Sequence, residues 1–401
     1  MFKDNSFEID GFRFAAVSAG IKHADSDRLD LALIVSDIPA ASAAVTTTNL
    51  VCAAPVILTR ERVRDGTLQA VLINSGNANA YTGEAGLADA LSLTGSVANI
   101  IGVNQRLVVP MSTGVIGQPL PVERINQRIP KLVNLLDRSS FQLVASAILT
   151  TDTAPKIALA EETLSNGDLK ILGMAKGAGM IAPNMATMLA VILVNMRVER
   201  SYLQRTFVEV NDLTFNRITI DGDTSTNDTA LVLSGGSADS QELSKNEADR
   251  TIFSTALTRV CSDLAKQIVR DGEGATKLVE VMVLGAPDPV SASKVCRRIA
   301  ESPLVKTAFH GEDPNWGRIV CAAGSAGVQF DPSKIDLWIG SVQILKSGVV
   351  ESGNVESLAK REMDNPEFSV SLDLKAGSAN ASIFTCDLSE EYVGINADYR
   401  S

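Results

Sequence analysis

The chain has 401 residues and a mass of 42.4 kDa, enough for two or three domains at about 150 residues each. With 45% hydrophobic and 21% charged residues and a mean hydropathy of +0.13, it is neither disordered nor fibrous. Its 36 Lys and Arg against 47 Asp and Glu leave a net charge of −11 and a pI near 4.9, a field that repels nucleic acid and anionic membranes.

Met1 to Phe12 lack the basic stretch and apolar run of an export signal, so none is expected there. Short apolar runs predict strands at Leu31–Val35, Val71–Asn74 and Arg106–Val109. Val108-Val109-Pro110 followed by Ser112-Thr113-Gly114 reads as a strand entering a turn, where a backbone N–H can stand exposed. Met180 to Met196 is the most apolar stretch, but Pro183, Asn184 and Asn195 interrupt it, and it falls short of the roughly 18 to 20 residues that cross a membrane. It is expected in a protein core.

Beyond it, Leu203, Phe207 and Val210 place one apolar face on a helix over Tyr202–Phe215, and Ala230–Leu233 reads as a strand. The strongest helical period spans Asp249–Arg270. Gly272 stops it and leaves Glu273 in the following loop. After a strand at Glu280–Leu284, Gly285-Ala286-Pro287-Asp288-Pro289 disfavours regular structure and is expected to divide a large domain, 1–284, from a smaller one, 290–401. Phe368–Leu374 and Ser382–Leu388 flank the turn Lys375-Ala376-Gly377-Ser378 and predict a hairpin. Helices mixed with short strands imply a layered α/β or α+β architecture.

Cys52, Cys261, Cys296, Cys321 and Cys386 are odd in number and widely spaced, and His23 and His310 are the chain's two imidazoles. This pattern suits a reducing cytosol and disfavours a zinc site, and no cofactor is expected. Asp221, Asp223 and Asp228 resemble a calcium cage, but Thr226 and Val232 stand where an EF-hand needs Gly and Glu. They read instead as a hydrogen-bonded polar turn. The glycines at 173, 177 and 179 lack the Gly-Lys-Ser/Thr of a phosphate loop. His310 reads as a structural loop histidine.

The chemistry concentrates in Lys176-Gly177-Ala178-Gly179-Met180-Ile181-Ala182-Pro183-Asn184-Met185-Ala186-Thr187, a loop-forming run, followed by Met188–Val194, apolar throughout like a strand buried on both faces. Thr187 stands at the junction. Held in a near-attack turn, its hydroxyl can attack the Ala186 carbonyl; cleavage of Ala186-Thr187 then frees an α-amine. With a reference pKa of about 7.7 to 8.0, that amine can serve as base for its own hydroxyl, with no histidine required. The residues alone read more simply as a small-residue turn that merely opens a core strand.

This stretch resembles the self-cleavage signature of the ornithine acetyltransferase (glutamate N-acetyltransferase) family of arginine biosynthesis. Asn74-Ser75-Gly76-Asn77-Ala78-Asn79-Ala80, Met111-Ser112-Thr113-Gly114-Val115-Ile116-Gly117, Thr150-Thr151-Asp152-Thr153-Ala154-Pro155-Lys156, Asp221 through Asp228, Asp271-Gly272-Glu273-Gly274-Ala275-Thr276-Lys277, Asp313-Pro314-Asn315-Trp316-Gly317-Arg318 and Ile395-Asn396 are similar to the family in the expected order. The resemblance implies an αββα sandwich of the DmpA and ornithine acetyltransferase superfamily, and maturation into chains 1–186 and 187–401 that remain together, two of each in a heterotetramer. It implies Thr187 as the nucleophile of a ping-pong transfer of acetyl from N-acetylornithine to glutamate, with Thr113 and Gly114 as the oxyanion hole. Thr153, Lys176, Thr187, Glu273, Asn396 and Ser401 match its substrate contacts, so the C-terminal tail is expected to fold back into the site. It also allows acetyl-CoA as a second donor, in a cytoplasmic enzyme. Two other readings fit the same residues: an aminopeptidase or amidase of the superfamily, in which water takes the acyl group, and a non-catalytic amino-acid-binding protein.

Overall fold

Apolar residues on both faces of the strands build the first sheet into the centre of the molecule. The computed structural model describes residues 7–23, 26–182 and 188–398. In chain order its first part comprises β1 (Phe12–Val17), β2 (Leu31–Thr46), α1 (Ala54–Val63), β3 (Thr67–Asn77), α2 (Gly83–Ile101), β4 (Val108–Val115), α3 (Val122–Asn134), α4 (Phe141–Ala147), β5 (Lys156–Leu164), β6 (Gly167–Lys176), β7 (Leu189–Val194), α5 (Arg200–Leu213), β8 (Ile218–Thr219), β9 (Thr229–Ser234) and α6 (Glu247–Arg270). The remainder is β10 (Leu278–Ala286), α7 (Pro289–Ala300), α8 (Pro303–His310), α9 (Trp316–Gly324), β11 (Asp336–Ile339), β12 (Val342–Lys346), β13 (Val349–Val350), α10 (Val355–Met363), β14 (Glu367–Asp373), β15 (Ala379–Cys386) and α11 (Glu390–Asp398).

Among the described residues the first sheet has the order β4-β3-β2-β9-β7-β6-β5, with β1 on β2. Strand β2 serves two neighbourhoods. Leu31–Val35 pair with β1 and β3, the register against β3 shifts between Val35 and Ala40, and Ala41–Thr46 pair with β9. The two halves of the sheet share one inner core, in which Phe14, Ile34, Val71 and Val109 meet Leu172, Met174, Leu189, Val191 and Leu231. Alternate residues point outward. Leu33, Leu72 and Val108 pack under Leu93 and Val97 of α2 and Ile125 and Ile129 of α3. On the opposite side Ala190, Ile192 and Val232 pack under Phe207 of α5 and Phe253, Leu257 and Leu264 of α6. The result is the αββα sandwich.

The strongest sequence signals hold. Every residue of β7 is buried, between β6 and β9. Helix α6 starts at Glu247, two residues before the expected point, because the Asn246 side chain caps it by accepting the Asp249 N–H at 2.7 Å. Burying a leucine such as Leu257 contributes about 1.5–3 kcal/mol. Helix α5 likewise begins at Arg200, where the Glu199 carboxylate accepts the Ser201 and Tyr202 N–H groups.

Three expectations change. Ser112-Thr113-Gly114 is not a turn after the strand: pairing with β3 carries β4 through Val115, and its expected beginning at Arg106 lies in a single 3₁₀ turn, Gln105–Leu107. The second sheet runs β13-β12-β11-β14-β10-β15-β8, so β14 and β15 form no hairpin; β10 lies between them, parallel to β14 and antiparallel to β15. The turn after β14 passes over the end of β10, where Ala376 N–H donates to the Gly285 carbonyl at 2.7 Å. Pro287 and Pro289 do not separate the sheets either. Pro289 opens α7, with Asp288 capping it through the Ser291 N–H, and both β10 and α7 pack into the second core through Val281, Val283, Ala292 and Val295. Apart from the two-residue β8, which pairs with β15, the change of sheet falls between α6 and β10, at 271–277.

Candidate active site

Strands β3 and β4 run in parallel to Gly76 and Gly114, where their register shifts. Gly114 has φ +131°, and a Cβ there would lie 2.3 Å from the Gly76 carbonyl carbon, so only glycine fits. Here the sandwich opens into a cleft with about 580 Å³ of empty space, lined by Thr113, Gly114, Lys176, Asn227, Glu273 and Asn396 among others.

Lys176, the last residue of β6, is 2% exposed and brings an ammonium group to the cleft wall. Its Nζ donates to Thr150 Oγ1 at 2.8 Å and Thr113 Oγ1 at 3.4 Å, and lies 3.7 Å from Asp152 Oδ2. Burial drives the Lys176 pKa down, and Asp152 opposes it. Asp152 Oδ1 takes the Gly177 N–H at 2.6 Å and the Lys156 ammonium at 2.7 Å; Lys156 is also paired with Asp271. Burial disfavours the Asp152 anion, but Lys176 and Lys156 outweigh it and hold the carboxyl well below its usual range. A hydroxyl that accepts from an ammonium keeps its own proton for donation. Thr113 is so arranged, beside Gly114.

Glu273 supplies the opposite charge. Its N–H donates to the Ala178 carbonyl at 2.8 Å, and its carboxylate lies against Gly179, where an added Cβ would sit 2.5 Å from the carboxyl carbon. Asn396 of α11 donates to Glu273 Oε2 at 2.7 Å, and Tyr392 of the same helix donates to Asp221 Oδ2 at 3.3 Å.

The loop between β6 and β7 is held at both ends. Asp221 accepts the N–H groups of Met180 at 2.6 Å and Ile181 at 2.8 Å, with Met180 at φ +57°. Asp228 Oδ1 accepts the Met188 N–H at 3.0 Å. Asp228 is fully buried, which pushes its carboxyl well above the usual range, and its Oδ2 has no hydrogen-bond partner among the described residues. Asn227 donates to the Ala78 and Ser112 carbonyls at 2.6 and 2.8 Å, joining this turn to β4 and to the end of β3.

Thr113, Gly114, Lys176, Glu273 and Asn396 therefore converge on one cleft. Ala186, Thr187 and Ser401 lie outside the described residues. Thr153 is not among the lining residues; its hydroxyl donates to Asp271, while Thr150 and Thr151 face the cleft. His310 ends α8 instead of occupying a loop, and its Nδ1 lies 2.8 Å from Asp387 Oδ2, a carboxylate that also accepts the Thr276 and Lys277 N–H groups. It braces that turn away from the cleft. Among the described residues no group of three His, Cys, Asp or Glu side chains is placed to hold a metal ion, and no helix is long and apolar enough to cross a membrane. Individual assignment of residues in the sequence missed Thr150, Asp152, Lys156 and Asp271, although all four sit in the resembling motifs.

The family model for ArgJ matches residues 13–401. The chain belongs to the ArgJ family. The arginine biosynthesis bifunctional protein ArgJ of Geobacter sulfurreducens is 48% identical over 393 residues, covering 98% of this chain and 100% of that protein. Its counterpart in Desulfotalea psychrophila is 45% identical over 394 residues, with 98% and 100% covered. Among solved structures, an ArgJ from Bacillus halodurans is 41% identical, covers 51% of this chain and 96% of its own, and has a TM-score of 0.49. Membership of the ArgJ family agrees with the arginine-biosynthesis family named from the motifs.

Proposed function

We propose that this chain is a self-cleaving N-acetyltransferase of arginine biosynthesis that moves acetyl from N2-acetyl-L-ornithine to L-glutamate through an ester on Thr187, and that it also accepts acetyl-CoA as donor. One observation carries the reading: the Thr113 hydroxyl, turned toward donation by the buried Lys176 ammonium, stands beside Gly114 in a cleft that also holds Glu273. A tetrahedral oxyanion needs two such donors, the hydroxyl and the Gly114 N–H.

In the first step the Thr187 hydroxyl attacks the Ala186 carbonyl carbon, the Ala186–Thr187 C–N bond gives way to an ester, and water hydrolyses that ester to leave the Ala186 carboxylate and a free Thr187 amine. The amine then takes the proton of its own hydroxyl, and the oxygen attacks the acetyl carbon of N-acetylornithine. Ornithine departs with the proton on its amine. Glutamate's neutral amine attacks the acetyl ester, and N-acetylglutamate leaves as the Thr187 oxygen regains a proton. With acetyl-CoA the leaving group is the thiol instead.

Lys176 and Glu273 offer opposite charges to the carboxylate and amine of the amino-acid substrates. Thr153, Asn396 and Ser401 complete the proposed contacts; the Thr153 hydroxyl must leave Asp271 to serve. The solved ornithine acetyltransferase of Mycobacterium tuberculosis, 35% identical over 45% of this chain and 94% of its own with a TM-score of 0.38, was crystallised with ornithine. Because β7 is a core strand from Leu189 onward, a chain beginning at Thr187 would stay bound to its partner, in a heterotetramer within the cytoplasm. Intact-mass measurement and a transfer assay test the reading together. Two fragments parted at 186/187 and acetyl passing from acetylornithine to glutamate are expected, and Thr187→Ala should give a folded, uncleaved, inactive chain. A single unbroken polypeptide in active material, or release of acetate without transfer, overturns it.

A further inference from the structure

A second cleft, with about 990 Å³ of empty space, opens over the outer face of β2 between α1 and α5, and shares no lining residue with the reaction cleft. Its floor is Ser42, Ala44 and Thr46; Arg60, Arg64 and Arg200 stand around it. Two of the guanidinium groups are fixed by neutral partners. Arg60 Nε donates to Thr46 Oγ1 at 2.6 Å and its other arm to the Thr47 carbonyl; Arg200 donates to the Arg64 carbonyl and lies against Gly66, where any side chain would collide with it. The Arg64 guanidinium makes no hydrogen bond or ion pair among the described residues.

The nearby acids offset them only in part. Glu199, at the rim, keeps its negative charge while its oxygens accept from Ser201 and Tyr202, and Glu61 and Asp65 share the one guanidinium of Arg106. In a chain of net charge −11, three arginines around one cleft leave a local positive excess. A second observation points the same way. Ser42 is 2% exposed, and its Oγ has no hydrogen-bond partner among the described residues, a buried hydroxyl that ordinarily would not go unmatched. Forked guanidinium N–H groups and a spare hydroxyl donor complement the tetrahedral oxygens of a phosphate.

We propose that this cleft binds the phosphate groups of a small phosphorylated ligand, at a site separate from acetyl transfer. The assignment does not depend on the reaction proposed above. Titration calorimetry on the full protein, with inorganic pyrophosphate and with coenzyme A as separate probes at low salt, tests it. Saturable binding of pyrophosphate is expected, weakened at least tenfold in Arg64→Gln and to a smaller degree in Ser42→Ala. Arg64→Gln should leave the melting temperature without ligand and the rate of transfer from acetylornithine unchanged, because that guanidinium holds nothing in the fold. Tighter binding of coenzyme A than of pyrophosphate, lost in the same variant, identifies a nucleotide as the ligand; equal binding identifies the phosphates alone. Absence of saturable pyrophosphate binding at millimolar concentration overturns the proposal, as does pyrophosphate binding that Arg64→Gln leaves intact.

Discussion

Asp228 accepts the backbone N–H of Met188 at 3.0 Å, and the neighbouring Thr229 N–H returns a bond to the Met188 carbonyl at 3.1 Å. One short segment of chain therefore fixes Met188, the second residue after the proposed cut, while Asp221 fixes Met180 and Ile181 before it. Asp228→Ala removes the acceptor and leaves a buried N–H unmatched, a loss of about 1–3 kcal/mol. Slower appearance of the two fragments on a denaturing gel is expected with it; cleavage at the wild-type rate would remove Asp228 from any role in holding the loop.

The charge state of Asp228 gives a pH test. Burial raises its folded-state pKa, so the stability associated with its protonated form is fully present below the unfolded value of about 3.9 and is lost as pH rises through the folded value. Asp228→Asn cannot ionise. Its melting temperature relative to wild type should rise between pH 4 and pH 8, and a difference that stays flat across that range contradicts an elevated pKa.

Thr113 and Lys176 make a different prediction. Thr113→Val deletes the proposed oxyanion donor while Lys176 keeps Thr150 and Asp152. A fall in kcat of about 10²–10³ is expected, with KM nearly unchanged. Thr113→Ser, which retains the hydroxyl, should recover most of the rate. Steady-state kinetics with acetylornithine and glutamate measure both; a fall of only twofold or threefold in Thr113→Val excludes the hydroxyl from transition-state stabilisation.

How far the sequence reveals this architecture depends on the range of the interaction. The continuous run of β7 and the period of α6 report burial face by face, and the structure buries them so. Alternation in β14 and β15 reports faces too, but it carries no information about which strand lies beside which, and β10 intervenes. The same limit hides Lys156. Nothing in the sequence gives its charge a role until Asp152 and Asp271, the latter 115 residues away, are brought to its ammonium group. Asp221 and Asp228 look like cation ligands because acidic spacing resembles a cage. Their oxygens instead receive backbone N–H groups from both ends of the β6–β7 loop, partners that only the fold supplies.

Asp152 is the centre of that buried charge network, and its loss should be costly. Asp152→Asn leaves Lys156 and Lys176 with one carboxylate fewer in a site where the Asp152 side chain is 0% exposed. Removing one partner of such a buried pair costs about 3–5 kcal/mol. In the wild type the depressed Asp152 pKa contributes stability that is present above the unfolded carboxyl value and is lost as pH falls through the folded one. Urea denaturation at pH 7 should therefore show a large gap between wild type and Asp152→Asn that narrows toward acid. A gap of under 1 kcal/mol at pH 7 would mean the network is not stabilising.

Asn396 reaches Glu273 from α11, so the last helix completes the anionic wall of the cleft. The contact is exposed, which limits its strength to about 1 kcal/mol, or roughly a fivefold effect on binding. Asn396→Ala should raise the KM for acetylornithine by that order and leave kcat alone, because neither side chain is proposed to touch the acetyl carbon. Asn396→Asp goes further, placing a second carboxylate where the amide donated at 2.7 Å from Glu273. Repulsion between the two carboxylates should either protonate one of them or push α11 away, so KM should rise more than in Asn396→Ala and fall back as pH is lowered toward 5. Equal KM values for both variants and wild type would mean that the α11 contact orders the tail without contributing to substrate binding.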